Sequence, residues 1–316
     1  QNLILGSETA STVSSRGVYK FPVEDKKSAT YDDHQCSSYD VEACSWSNIP
    51  DEDFALADDN HWTIGQFVWT GFDYLGEPSP YDTNAWPNHS SMFGIIDLAS
   101  IPKDRYYLYR SVWNKNAETL HVLPHWTWPG REGKVTPVFV YTNHPTAELF
   151  INGKSYGKQS KNNSSLKNRY RLMWMDAVYE PGEIKVVAYN KDGKAVAEKI
   201  VRTAGKPHHI ELVSNRNELT ADGKDLAYIT VKVVDKDGNL CPADSRQINF
   251  SVKGAGKYRA AANGDPTNLE QFHLPKMHAF NGMLTAIVQS GETAGEIVLT
   301  AKASGVKAGN IRIQTK

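Results

Sequence analysis

The chain has 316 residues, 40% hydrophobic and 22% charged, with a formal net charge of -1; that length suits two or three domains of ~100–150 residues each. The charge balance excludes the electrostatic footprint of a general nucleic-acid binder, and no stretch approaches the ~18 apolar residues of a helical membrane span, so neither nucleic acid nor membrane is expected as a partner. Three cysteines are too few, and odd in number, for a disulfide-stapled scaffold: Cys36 and Cys44 either bridge within one polar loop or stay as free thiols.

The first region, residues 1–114, carries two short apolar runs, Leu3–Leu5 and the "GQFVW" of Gly65–Trp69. Neither alternates, which predicts strands buried on both faces, as in a parallel sheet under helices. Between them lies a long acidic stretch, expected to be a solvated excursion from Asp32 to Asp59, with Tyr39, Trp46 and Phe54 available to pack back. "IPKDRYYLYRSVWN" predicts a helix, with Pro102 in its first turn. Tyr106, Leu108, Tyr109, Val112 and Trp113 would form its half-buried stripe.

The second region, residues 115–205, changes to strand-like runs such as "KVTPVFVYTN" and "GEIKVVAYNKDGKAVAEKIV". Asn152-Gly153 and Asp192-Gly193 are expected as type I′ hairpin turns, in which both central residues take positive φ. After the linker-like "AGKPHH", residues 206–316 repeat the style around Asp237-Gly238. Both regions read as antiparallel sandwiches. The fold class is therefore mixed: a parallel α/β segment followed by two all-β sandwiches.

Glu8 stands out chemically. It follows an apolar strand through Gly6 and Ser7, among residues small enough to leave its carboxylate approachable. The second strand ends in Trp69. In a barrel of parallel strands, catalytic groups sit at the strands' C-terminal ends. A carboxylate beside an indole suits a glycosidase, because the ring packs on a sugar's apolar face while the carboxylate attacks the anomeric carbon. Tryptophans are concentrated here: seven of the eight lie between Trp46 and Trp128.

"GSETASTVSSRGVY", "GQFVWTGFDYLGEPSPY" and "SSMFGIIDLASIPKDRYYLYRSVW" together resemble the last part of the catalytic barrel of glycoside hydrolase family 2, the β-galactosidase family. "HVLPHWTWPG" and "VYTNHPTAELFINGKSYGK" resemble the sandwich that follows that barrel. "NGDPTNLEQFHLPKMHAFNGMLTAIVQS" is similar to the family's C-terminal immunoglobulin-like domain. The resemblance implies a partial (β/α)8 TIM-barrel segment over 1–114, holding strands seven and eight and the last helix. Immunoglobulin-like sandwiches over 115–205 and 206–316 follow it.

It further implies that Glu8 is the nucleophile of a retaining exo-glycosidase acting on terminal β-galactosides of oligo- or polysaccharides, and that Trp69 shapes the galactose subsite. The two carboxyls of such a pair lie about 5–5.5 Å apart. The family's acid/base Glu follows an Asn on barrel strand four, which this sequence lacks; Asn217-Glu218 lies at a strand-edge turn and does not replace it. The chain is accordingly expected to be a C-terminal piece, inactive alone, whose partners are the β-galactoside and the missing N-terminal part of the same enzyme. Trp126 and Trp128 either bind an aglycone sugar or join barrel to sandwich. No metal and no cofactor are expected, and family habit places the protein in the periplasm or outside a bacterial cell. The alternative is a non-catalytic carbohydrate-binding or spacer module.

Overall fold

The computed structural model describes residues 2–316, and the chain is mostly β. It forms two compact units, one comprising Gln1–Asp97 with Pro102–Thr203 and the other Leu98–Ile101 with Ala204–Lys316.

In the first unit, β1 (Ile4–Ala10) is followed by α1 (Pro50–Asp59) and β2 (Thr63–Trp69). Pro50 enters α1 at its first turn, where a missing N–H costs no helical bond. Asp51, Glu52 and Asp53 follow in the turn that favours negative charge. The long crossover allows β1 and β2 to pair in parallel. They make a two-stranded sheet, and an eight-stranded barrel is not present in these residues.

The expectation of strands covered on both faces is corrected. Leu3 is 67% exposed and Phe67 63%, and Ile4, Leu5 and Ile64 are exposed with them. The cause is topological, since each strand has a single pairing neighbour.

The acidic stretch is also not solvated as expected. Residues 35–44 are all buried, and Tyr39 and Phe54 belong to an apolar cluster, while Trp46 faces solvent. Its carboxylates tolerate burial because cations from elsewhere meet them. Asp40 pairs with Arg105 at 2.8 Å, and Asp51 accepts from Arg171 Nε at 2.8 Å. Cys36 and Cys44 are buried free thiols.

The expected helix forms as α2 (Asp104–Trp113), but it starts after Lys103, so Pro102 precedes it. Its buried face is Arg105, Leu108, Tyr109 and Ser111, and Trp113 is exposed. The sandwich of this unit follows. One sheet joins β3 (Leu120–Leu123), β4 (Val138–Thr142) and β7 (Leu172–Trp174), all antiparallel in the order β3-β4-β7. The other joins β5 (Thr146–Ile151), β6 (Lys154–Ser160), β8 (Glu183–Tyr189) and β9 (Ala195–Arg202), in the order β9-β8-β5-β6. The alternation in β5 and β8 puts Ala147, Leu149, Ile151, Ile184 and Val186 into the core between the sheets. Tyr39, Phe54, Leu108 and Tyr109 share a second cluster with Phe139, Tyr141 and Tyr170, so the first hundred residues and the sandwich pack as one body.

Asn152 and Gly153 take φ of 48° and 82°, as a type I′ turn requires. Asp192-Gly193 differs. Only Gly193 has positive φ, and its N–H donates to Asn190 O across a four-residue turn, which is the longer-loop solution with a left-handed glycine.

The second unit is also a sandwich. One sheet contains β10 (His209–Ser214), β12 (Leu226–Val234), β14 (Gly256–Ala262) and β16 (Met283–Ser290), in the order β10-β12-β16-β14. The other contains β11 (Glu218–Leu219), β13 (Gln247–Gly254), β15 (Lys276–His278), β17 (Gly295–Lys302) and β18 (Gly309–Thr315), in the order β11-β18-β17-β13-β15. Ile229, Val231, Leu284, Val288, Ile297 and Leu299 fill its core.

Candidate active site

β1 and β2 bring the two leading residues onto neighbouring strands. Ala10 lies opposite Trp69 and Thr9 opposite Val68, while Gly6 lies opposite Gln66. β1 therefore spends three steps where β2 spends two, and the extra residue falls at Ser7-Glu8. A bulge of this kind re-aims a side chain and recurs beside active sites. Glu8 is exposed on it. The strand thus continues past Glu8 to Ala10, rather than stopping at Leu5.

Local chemistry fixes the bulge. A Cβ on Gly6 would sit 2.9 Å from Thr9 Cγ2, so a larger residue would push the two turns of the bulge apart. Thr9 Oγ1 donates to Gln66 Oε1 at 2.9 Å, and Gln66 Nε2 donates to Asp53 O at 3.3 Å, tying both strands to α1.

Trp69 is half-buried against Val13, Tyr81, Met92 and Phe93. Its indole N–H donates to Tyr74 Oη at 3.1 Å, the two rings meet edge to face at 6.0 Å, and Tyr74 Oη donates to the Glu77 carboxylate. Burial, with the hydrogen bond to Glu77, pushes the Tyr74 phenol up to about 12, so it remains a donor. The Trp69-Thr70 peptide is cis.

The loops leaving β1 and β2 are anchored from below by buried ion pairs. Lys103 Nζ reaches Asp73 at 2.7 Å, Ser14 O at 2.7 Å and Met92 O at 3.2 Å. Asp73 also accepts from Gly94 N at 2.8 Å, which holds the loop after β2. Burial pushes the Asp73 carboxyl up to about 6 against the pull of Lys103, and pushes Lys103 down. Arg105 joins Asp40 to Phe93 O and Ser14 Oγ, each at 3.0 Å, and Arg16 meets Asp97 at 2.5 Å. Lys103 and Arg105 are each 1% exposed, and nothing in the local sequence signals that burial.

Trp126 and Trp128 are not part of this arrangement. Trp126 is fully buried in the sandwich core and donates to Glu180 O at 2.9 Å, leaving no ring face for a sugar; as a substrate-binding residue it is corrected to a core residue. Trp128 stacks on His125 at 4.0 Å and meets Tyr19 and Phe21 edge-on, so its faces are occupied by joining the loops of this unit. Among the described residues, no group of three or more His, Cys, Asp or Glu is placed to hold a metal ion.

Residues 210–312 match the model of glycoside hydrolase family 2 C-terminal domain 5, and residues 133–197 match a domain of unknown function. The chain is similar to a β-galactosidase of Bacteroides ovatus, BoGH2A, at 41% identity over 98% of this chain and 36% of that protein. It is also similar to a putative β-glucuronidase of Formosa agariphila, at 35% identity over 66% of this chain and 20% of that protein. Among solved structures, a β-glycosidase from Bacteroides vulgatus superposes with a TM-score of 0.86 at 31% identity, covering 98% of this chain and 41% of that one. The chain thus spans little more than a third of the β-galactosidase it matches.

Proposed function

We propose that this chain, which belongs to glycoside hydrolase family 2, supplies the nucleophile half of a retaining exo-glycosidase active on terminal β-galactosides. Glu8 attacks the anomeric carbon, a glycosyl-enzyme forms, and water resolves it while the acid/base carboxyl protonates the leaving group and then activates that water. Trp69 offers its ring to the apolar face of the galactose, held at its N–H by Tyr74. The observation that carries this reading is the exposed carboxylate on the β1 bulge, beside the strand that ends in Trp69.

The remaining finer statements belong to the same proposal. Residues 1–114 form the last part of a TIM barrel, with sandwich domains over 115–205 and 206–316. The exposed Leu5, Ile64 and Phe67 are where earlier barrel strands pack, because a solvent-facing apolar strand pair with unpaired edges is otherwise a liability. The missing acid/base makes the chain inactive alone, no metal is required, and the whole enzyme works in the periplasm or outside the cell. Galactoside is preferred over glucuronide on the "FVWTGFDYLGEP" motif and on the similarity to the Bacteroides ovatus enzyme.

The test is hydrolysis of a chromogenic β-galactoside by the enzyme that contains this chain, by its Glu8→Gln variant, and by the chain alone. Turnover, a loss of several orders of magnitude and no turnover are expected, the loss approaching the ~10⁶ typical of a removed nucleophile. A Glu8→Gln enzyme at the parent rate would overturn the assignment.

A further inference from the structure

The loops that leave the C-terminal ends of β1 and β2 line an open cleft of about 440 Å3, within the ~300–1,000 Å3 usual for small-molecule sites. Tyr31, Asp32 and His34 line it from the first loop, and Tyr81, Asp82 and Asn84 from the second. The aromatic wall is prepared in advance. Tyr31 N donates to Tyr81 Oη at 3.2 Å, Tyr81 Oη donates to Gln35 O at 2.8 Å, and Tyr31 Oη donates to the buried Glu42 carboxylate. The two loops are therefore latched through one phenol. Tyr81 is 7% exposed and packs in the same cluster as Trp69, which connects this wall to the indole of the active site. His34 lies over Tyr81, with ring centroids 4.9 Å apart. Its Nδ1 is buried and makes no hydrogen bond within the protein. Lys20 covers the Tyr31 ring at 4.5 Å and is paired with Asp33.

The chemistry of the lining selects a ligand class. Two exposed carboxylates, Asp32 and Asp82, repel an anion. A metal ion is not favoured either, because no suitable ligand cluster occurs among the described residues. Rings that offer an apolar flank, combined with carboxylate, amide and imidazole acceptors, match the C–H face and hydroxyls of a neutral sugar. Because the wall is fixed before binding, little ordering entropy is lost on association.

We propose that this cleft is a subsite for a sugar residue beyond the galactosyl unit, so that the enzyme favours a galactosyl oligosaccharide over a galactoside whose aglycone is not a sugar. This rests on the glycosidase reading above. Asp82 accepts from the distal sugar's hydroxyls, the His34 imidazole accepts or donates, and the partly exposed rings of Tyr31 and His34, backed by buried Tyr81, meet its C–H face.

The experiment uses the whole enzyme that contains this chain, with Asp82→Asn, His34→Asn and the double variant. Both positions have positive φ, 38° and 54°, which Asn tolerates, so the variants keep the backbone. Steady-state kinetics are compared on 4-nitrophenyl β-galactoside and on a β-galactosyl-terminated trisaccharide. The proposal expects kcat/KM on the trisaccharide to fall about tenfold in the double variant, worth two sugar hydrogen bonds, with the aryl galactoside changed less than twofold. Equal losses on both substrates, or no loss on either, would overturn it. If the parent enzyme hydrolyses neither substrate, the galactosidase reading fails instead. The cleft is then decided by calorimetric titration of the enzyme with cellotriose: binding that the double variant abolishes sustains the subsite, and no binding refutes it.

Discussion

The parallel pair β1–β2 and the sandwich of the second unit are both built from apolar strands, yet they end in opposite conditions. β12 reads "LAYITVKVV", with Ala227, Ile229, Val231 and Val233 turned inward and Tyr228, Thr230 and Lys232 turned outward. Its sheet has a partner sheet, and Ile229, Val231, Ile297 and Leu299 are completely covered. β1 and β2 have no alternation and only the short α1 packed against them, and they show Leu5, Ile64 and Phe67 to solvent. A period-2 pattern states which face needs cover and can be satisfied by one neighbouring layer. A continuous apolar run states that both faces need it, and these residues cannot supply that cover by themselves.

The largest effect expected within the chain tests the anchoring under the strand ends. Lys103→Met leaves the Asp73 carboxylate buried without its cation and should lower stability by about 3–5 kcal/mol, read from urea titration. A loss below about 1 kcal/mol would show that the ion pair does not organise the loops.

The comparison itself is sharpened by two truncations. Leu299→Ala in the second sandwich should cost about 2–5 kcal/mol in any context, since the side chain is fully buried. Phe67→Ala should be near neutral in the chain alone, where the ring is mostly exposed, and cost about 3–5 kcal/mol in the whole enzyme if barrel strands cover it. Equal costs for Phe67→Ala in both would break the contrast.

A smaller effect is expected at the indole. Tyr74→Phe removes the acceptor for the Trp69 N–H, a change of about 1 kcal/mol, and should raise KM a few-fold with little change in fold stability. The smallest concerns pH. Burial raises the Asp235 carboxyl, but hydrogen bonds from the Asn239 side chain and from Gly205, Asn239 and Asp237 N–H outweigh it and bring it down to about 2. That lies below the ~3.9 of an unfolded Asp. Its stabilisation is therefore complete above the unfolded value and is lost as pH falls through about 2. Asp235→Asn should flatten the acid limb of the second unit's melting curve; an unchanged limb would contradict the assignment.

Much of the architecture was legible in the sequence. The hairpin pair Asn152-Gly153 and the inward alternation of β5, β8 and β12 are local properties, and local sequence specifies them. Glu8 and Trp69 drew attention because each follows an apolar run; the structure sets Trp69 at the end of β2 but Glu8 on a bulge within β1, which continues to Ala10. The acidic stretch was misread because its burial depends on distant cations, Arg105 and Arg171, whose pairing leaves no local pattern. Trp126 was left between two readings for a related reason: an indole reads the same in sequence whether it faces a sugar or a core, and its burial puts it in the core. The Ser7-Glu8 bulge was invisible because register is a relation between two strands, not a property of one.

The central claim is that Glu8 forms the covalent bond to the sugar. The whole enzyme is incubated with a 2-deoxy-2-fluoro-β-galactosyl fluoride, digested, and mapped by mass spectrometry. The account predicts a fluorogalactosyl adduct on the carboxylate of Glu8; an adduct on any other carboxylate, with Glu8 unmodified, would contradict it.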